Sequence, residues 1–329
     1  MSHIALVGAG AVGVRAARQL VDTPGLVGLR IAARDHAAAR RLARAVGAEA
    51  VTLDRVLDAD TAALAIAIPG PAGVAIVRRA VEAGVPAASC ADDDAALRAM
   101  LALGPAAFDR QVHVVAGCGL APGVADVLAR HAADALEDPD EVHVARVGVA
   151  GPSCRATLRQ ATRSDAREWR EGAWHVPDRQ GPQLVWLPEP LAARECTPIA
   201  AGVELLRGAV PEARDVTVRA EPPARRARSN GLGRRAADAE FGGARVEVWG
   251  WRGGVRSSIV YGVIERPAIA AGTTLAVSAA CLGGLVPSIG LRAEHGGVHA
   301  TGATFEAPAF LAELARRGVK AAAFEGAQV

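Results

Sequence analysis

Between an apolar run, Ile4–Gly8, and a stretch of helical periodicity, Ala11–Val21, stands Gly8-Ala9-Gly10-Ala11-Val12-Gly13. This Gly-x-Gly-x-x-Gly spacing constrains the fold more than any other feature of the chain. Gly8 permits a sharp turn out of a strand. Gly10 lets phosphates approach the backbone, and Gly13 lets the following helix pack close to the strand. The helix N-terminus then offers unpaired N–H groups and partial positive charge to an anion. Strand, glycine turn and helix in that order predict a dinucleotide cradle. A glycine-rich turn that holds no nucleotide is the alternative.

The residues that follow keep alternating. Gly28–Ala33, Ala48–Leu53, Ala63–Ile68, Val85–Cys90 and Val112–Ala116 read as strands, and His36–Val46 and Ala72–Ala83 read as helices. Near-continuous apolar strands separated by helices predict a parallel sheet buried on both faces, the doubly wound α/β (Rossmann) arrangement. Ligands of such sheets lie beyond the carboxyl ends of the strands. Pro69-Gly70, Cys90–Asp94 and Gly117–Gly123 all fall there. The end of the second strand selects the cofactor: an acid favours NAD, an arginine the 2′-phosphate of NADP. Here it reads Arg34-Asp35, with Arg40 and Arg41 following. This predicts NADP, with NAD kept open by Asp35. The plain alternative for Arg34 is an ion pair with Asp35.

A chain of 329 residues with 51% hydrophobic content is long enough for two domains. No Phe, Trp or Tyr precedes Phe108, and all five Trp lie in the middle of the chain. There the pattern changes to alternation in Glu141–Val149, Asp215–Arg219 and Arg245–Trp249. Arg245–Trp251, Arg252-Gly253-Gly254 and Val255–Ile264 read as an antiparallel hairpin. The middle therefore predicts an inserted α+β domain whose antiparallel sheet is covered by helices or by a second subunit. Thr197-Pro198 resembles a helix start, with Thr as N-cap. The Arg-rich stretch holding Arg225, Arg226, Arg228 and Arg234 reads as a solvated loop. Ile269–Val286 reads as a buried helix, too polar to span a membrane, and Glu306–Arg317 as an amphipathic one.

Of the 37 lysine and arginine residues only Lys320 is a lysine, and Tyr261 is the one tyrosine. Lys320 is followed by Ala321, which excludes a P-loop. Tyr261 has Glu265 rather than Lys one turn on, which excludes the short-chain dehydrogenase mechanism. Sugar oxidoreductases and β-hydroxyacid dehydrogenases built on a second-domain lysine are disfavoured too. Five widely spaced cysteines without a CxxC pair argue against structural zinc or a disulfide framework, and no metal is expected. They fit a reducing cytoplasm, as does an N-terminus without signal-peptide character. A formal charge of +2 gives no general pull toward nucleic acid or membrane.

Gly117-Cys118-Gly119-Leu120-Ala121-Pro122-Gly123 follows the last of these strands and opens a helix. It resembles the G-x-x-P-G segment of the saccharopine dehydrogenase-like family, which includes saccharopine reductases and lysine 6-dehydrogenases. Gly8–Gly13, Ala33-Arg34-Asp35, Gly297-Val298-His299 and Phe310-Leu311 carry the same resemblance. It implies a cofactor-binding Rossmann domain at 1–122, a substrate and dimerisation domain at 123–292, and a tail at 293–329 packing back on the first. It also implies a homodimer and NAD(P)-dependent chemistry at a CH–NH bond of an amino-acid-like substrate. Gly117–Gly123 would then lie near the nicotinamide.

The expected cofactor contacts are Gly8, Ala9, Gly10, Ala11, Val12, Gly13, Arg34, Asp35, Pro69, Gly70, Cys90 and Gly119. Cys118, Asp92 and His175 are the candidate catalytic residues, and Arg155 and Arg159 candidate carboxylate binders. Plainer readings stay beside these: a buried filler for Cys118, helix capping for Asp92–Asp94, a solvated face for the arginines. An iminium already electrophilic needs less acid catalysis than a ketone, which suits a chain short of Lys and Tyr. Two other readings stay open: a carbonyl or 2-hydroxy-acid dehydrogenase, and a non-catalytic NADP-binding protein.

Overall fold

The computed structural model describes residues 3–177, 181–223 and 241–325. The Arg225–Arg234 stretch lies outside them. Two sheets organise the chain. The first contains β1 (His3–Val7), β2 (Leu29–Ala32), β3 (Glu49–Ala50), β4 (Thr61–Ile66), β5 (Ala87–Ser89) and β6 (His113–Ala116). The second contains β7 (Glu141–Val147), β8 (Glu168–Arg170), β9 (Ala173–His175), β10 (Gln183–Trp186), β11 (Ala193–Pro198), β12 (Asp215–Ala220), β13 (Gly242–Arg252) and β14 (Val255–Glu265). The last two strands divide: β15 (Gly297–Ala300) joins the first sheet and β16 (Ala321–Glu325) the second.

The first sheet runs β3-β2-β1-β4-β5-β6-β15, and every pair in it is parallel. This is the doubly wound Rossmann order, extended by one strand. Its strands are buried on both faces, as continuous apolar runs require. Small side chains let the layers approach closely. The helix Pro267–Leu282 is buried almost throughout and packs on the helix Ala11–Val21. A Cβ on Gly272 would stand 2.4 Å from Arg15 Cβ, so the contact needs glycine.

The second sheet runs β10-β11-β12-β7-β13-β14-β16, with β8 and β9 attached beside β12. The expected hairpin is present: Arg252 pairs with Val255 across Gly253-Gly254, whose φ values of 58° and 77° suit a tight primed turn. Two expectations are corrected. The sheet is mixed, because β12 and β7 pair parallel, joined by a crossover carrying the helix Pro152–Ala161. Thr197-Pro198 ends strand β11 instead of starting a helix; Thr197 pairs with Ala220, and the helix begins at Val203 after Gly202. Propensity yielded there to tertiary strand pairing.

His113 and His299 lie on neighbouring strands, each with one buried ring nitrogen unpartnered among the described residues. Burial lowers the pKa of both, and for His299 the nearby His113 adds to the effect. Each binds its proton more readily once the chain unfolds. Their contribution is thus intact above the ordinary value of 6.5 and is lost as pH falls below it. Melting curves from pH 7.5 to 5.5 are expected to show a falling Tm, with a shallower slope in His299→Gln.

Candidate active site: a glycine cradle beside a cleft between the two sheets

The three glycines of the first turn do separate jobs. Gly8 has φ of +118°, and a Cβ there would stand 2.6 Å from Ala67 O. A Cβ on Gly13 would stand 1.9 Å from Gly8 O, so the helix could not approach its strand with any side chain there. Around Gly10 nothing lies within 4 Å of the added atom. Gly10 caps the helix Ala11–Val21 without a side-chain hydrogen bond, leaving the first N–H groups to a ligand. That open cradle fits a pyrophosphate.

Arg34 is exposed at the end of β2, and among the described residues nothing pairs with its guanidinium. Asp35 instead caps its own helix, accepting from Ala38 N–H at 3.1 Å, and lies 3.8 Å from Arg41 Nη2. The Arg34–Asp35 pair is not made.

Beyond the strand ends a cleft of about 650 Å³, mouth included, separates the two sheets. Val12, Pro69, Cys90, Asp92 and Gly119–Pro122 line one side; Arg146, Gly148, Ser153 and Cys154 line the other. Among the described residues of its wall Asp92 is the one acid and Arg146 the one cation. They bind each other across the sheets, Arg146 Nη1 and Nη2 donating to Asp92 Oδ2 at 3.3 and 3.4 Å. Cys154 Sγ donates to the same oxygen at 3.2 Å and Thr157 Oγ1 to Oδ1 at 2.9 Å. Arg146 also donates to Ala121 O at 2.7 Å. Among the described residues Asp92 Oδ2 thus accepts from both Arg146 and Cys154, and Oδ1 from Thr157 alone.

Both thiols of the cleft are kept protonated. Burial, with Asp92 close by, pushes Cys154 up to about 12 and Cys90 further still. Neither is a ready nucleophile.

The structure gathers Asp92, Cys90, Pro69 and Gly119 at this cleft and leaves other candidates outside it. Cys118 is fully buried; its Sγ donates to Val115 O at 3.5 Å and accepts from Thr301 at 3.9 Å. Burial pushes its thiol up to about 11, so it serves as packing beneath the loop. His175 is exposed on β9, and neither it, Arg155 nor Arg159 lines the cleft. Gly70 lies just outside, its N–H donating to Asp93 at 3.2 Å, and Asp93 caps the helix Asp94–Leu101. Among the described residues no cluster of His, Cys, Asp or Glu could hold a metal, and no helix is long and apolar enough to cross a membrane.

The Gly117–Gly123 loop is fastened from beneath. Asp126, fully buried, accepts from Gly123 N–H at 3.1 Å, and burial raises its pKa well above the carboxylate range. A Cβ on Gly123 would stand 2.1 Å from Gly119 O, so the loop folds tightly on itself.

The sequence matches no family model and no curated protein. The structure is similar to apo saccharopine dehydrogenase (L-Glu forming) from Saccharomyces cerevisiae, at a TM-score of 0.69 and 15% identity over 98% of this chain and 100% of that one. It is also similar to a probable dehydrogenase from Thermotoga maritima, at a TM-score of 0.54 and 11% identity over 95% of each chain. At such identities the likeness is one of fold.

Proposed function

We propose that the chain is an NAD(P)-dependent oxidoreductase that moves a hydride to or from a nitrogen-bearing carbon of a small amino-acid-like molecule. One observation carries this reading: the open glycine cradle and the cleft adjoin, with Val12 belonging to both. The backbone of Gly8–Gly13 would hold the pyrophosphate, and the unpaired Arg34 a 2′-phosphate, which favours NADP over NAD. Pro69, Cys90 and Gly119 would border the nicotinamide. When bound, that ring supplies or accepts the hydride.

The opposing wall, Arg146, Ser153 and Cys154, comes from the 123–292 segment, in keeping with its reading as a substrate domain. Asp92 is engaged and the thiols are protonated, so the cleft holds little acid–base apparatus. An iminium, already electrophilic, tolerates that better than a ketone. The likeness in fold to saccharopine dehydrogenase (L-Glu forming), whose name gives an amino-acid product, supports an amino-acid-like substrate. Exposed Leu184 and Trp186 on the edge strand β10 suit a homodimer contact.

The test follows NADPH and NADH absorbance with a panel of amino-acid, amine and imine substrates. Turnover with an imine is expected. Arg34→Ala should raise KM for NADPH about tenfold, the loss of one charge-assisted contact, and leave KM for NADH unchanged. Tight cofactor binding with no turnover anywhere would leave only a cofactor-binding protein.

A further inference from the structure

A second cavity lies between the helices Val124–Ala133 and Ala307–Arg316 and the strands β14 and β16. It spans about 820 Å³, of which a good part is its open mouth. Its apolar wall is built from Val124, Leu128, Leu311 and Leu314. Among the described residues its polar groups are His131, Tyr261 and Lys320, and none is a carboxylate. The one tyrosine and the one lysine of the chain thus share a cavity.

The imidazole of His131 lies against the Tyr261 ring, with centroids 5.7 Å apart and planes tilted by 32°. Among the described residues neither the phenol, the imidazole nor the Lys320 ammonium has a hydrogen-bond partner. Burial raises the Tyr261 pKa, so the phenol keeps its proton and remains a donor. Arg252 acts on it as a further positive charge.

An apolar body beside a cation, a phenol and an imidazole that no described protein group engages, with no acid among the described residues, suits an anion carried on a hydrocarbon frame. We propose that this cavity binds a small monocarboxylate with an aromatic or branched aliphatic body, its carboxylate held by Lys320 and Tyr261. The body lies on Val124 and Leu128. Val124 directly follows Gly123, which closes the loop lining the cleft, so the two cavities share one helix and its lead-in.

The composition supplies the reporter. With one tyrosine in the chain, the full-length protein labelled with fluorotyrosine gives one fluorine resonance, from Tyr261. Benzoate and isovalerate are the probes; benzyl alcohol and isoamylamine carry similar bodies without the anion. The carboxylates are expected to shift the resonance saturably and the other two to leave it in place. Lys320→Met should raise Kd about tenfold, as loss of a charge-assisted hydrogen bond does. Lys320 is exposed, so this variant should keep the wild-type melting curve. Leu311→Glu, which puts a carboxylate in the wall, should abolish the shift. No saturable shift, equal shifts from alcohol and acid, or a Kd indifferent to Lys320→Met would each overturn the proposal.

Discussion

Gly10→Ala is expected to melt at the wild-type temperature and to bind NADPH at least about tenfold more weakly. The added methyl meets no protein atom within 4 Å, so the fold has nothing to repack. It stands instead where the phosphates must approach, and an obstructed anion loses hydrogen bonds worth about 1.5–3 kcal/mol each. Gly13→Ala should behave differently. Its methyl would fall 1.9 Å from Gly8 O, a backbone atom, so the helix must move off its strand. Overpacking of that kind costs about 1–3 kcal/mol and sometimes more. Urea titration and NADPH titration of the two variants separate the roles. If Gly10→Ala bound cofactor normally, the turn would not be the cradle.

Arg146→Met is expected to destabilise the protein by about 3–5 kcal/mol, the usual consequence of leaving one member of a buried ion pair behind. The side chains of Arg146 and Asp92 are only 8% and 15% exposed. The stranded Asp92 would keep Cys154 and Thr157 as donors but lose its cation. The double variant Asp92→Asn, Arg146→Met should recover most of the loss, since no charge is then stranded. By contrast Arg98→Met, which breaks an exposed pair with Asp94, should cost at most about 1 kcal/mol. Equal losses for Arg146→Met and Arg98→Met would mean the pair across the cleft contributes nothing special. Chemical denaturation of the four proteins distinguishes these outcomes.

The cradle and the parallel sheet could be read from the sequence because both rest on local chemistry. Gly8, Gly10 and Gly13 are adjacent in the chain, and apolar strands separated by helices announce themselves residue by residue. The second sheet was less legible. Alternation has the same period in parallel and antiparallel strands, so β7 and β12 gave no sign of running together. Thr197-Pro198 met every local rule for a helix start, yet the pairing of Thr197 with Ala220 decided otherwise.

Arg146 was missed, although its phase carried a signal. It shares the face of β7 that Val142 and Val144 bury, and a lone charge on an apolar face needs a buried partner. Cys154 and Thr157 reach Asp92 only because the crossover between parallel strands lays their helix over the cleft. No spacing in the sequence encodes that approach. Cys118 was misplaced for the converse reason: it lies at a strand end by number but points beneath the loop.

The division of the last two strands bears on how the protein is born. During synthesis β1 to β6 emerge first, but the partner that covers the open side of β6 is β15, which follows the whole run β7–β14. Until the ribosome has delivered Gly297–Ala300, the nascent nucleotide half exposes an apolar strand edge, the kind that pairs with strangers. The segment from β15 to β16 then stitches both sheets, β15 to one and β16 to the other. A chain cut before Gly297 would forfeit an outer strand in each sheet, so a late truncation would expose two strand edges at once.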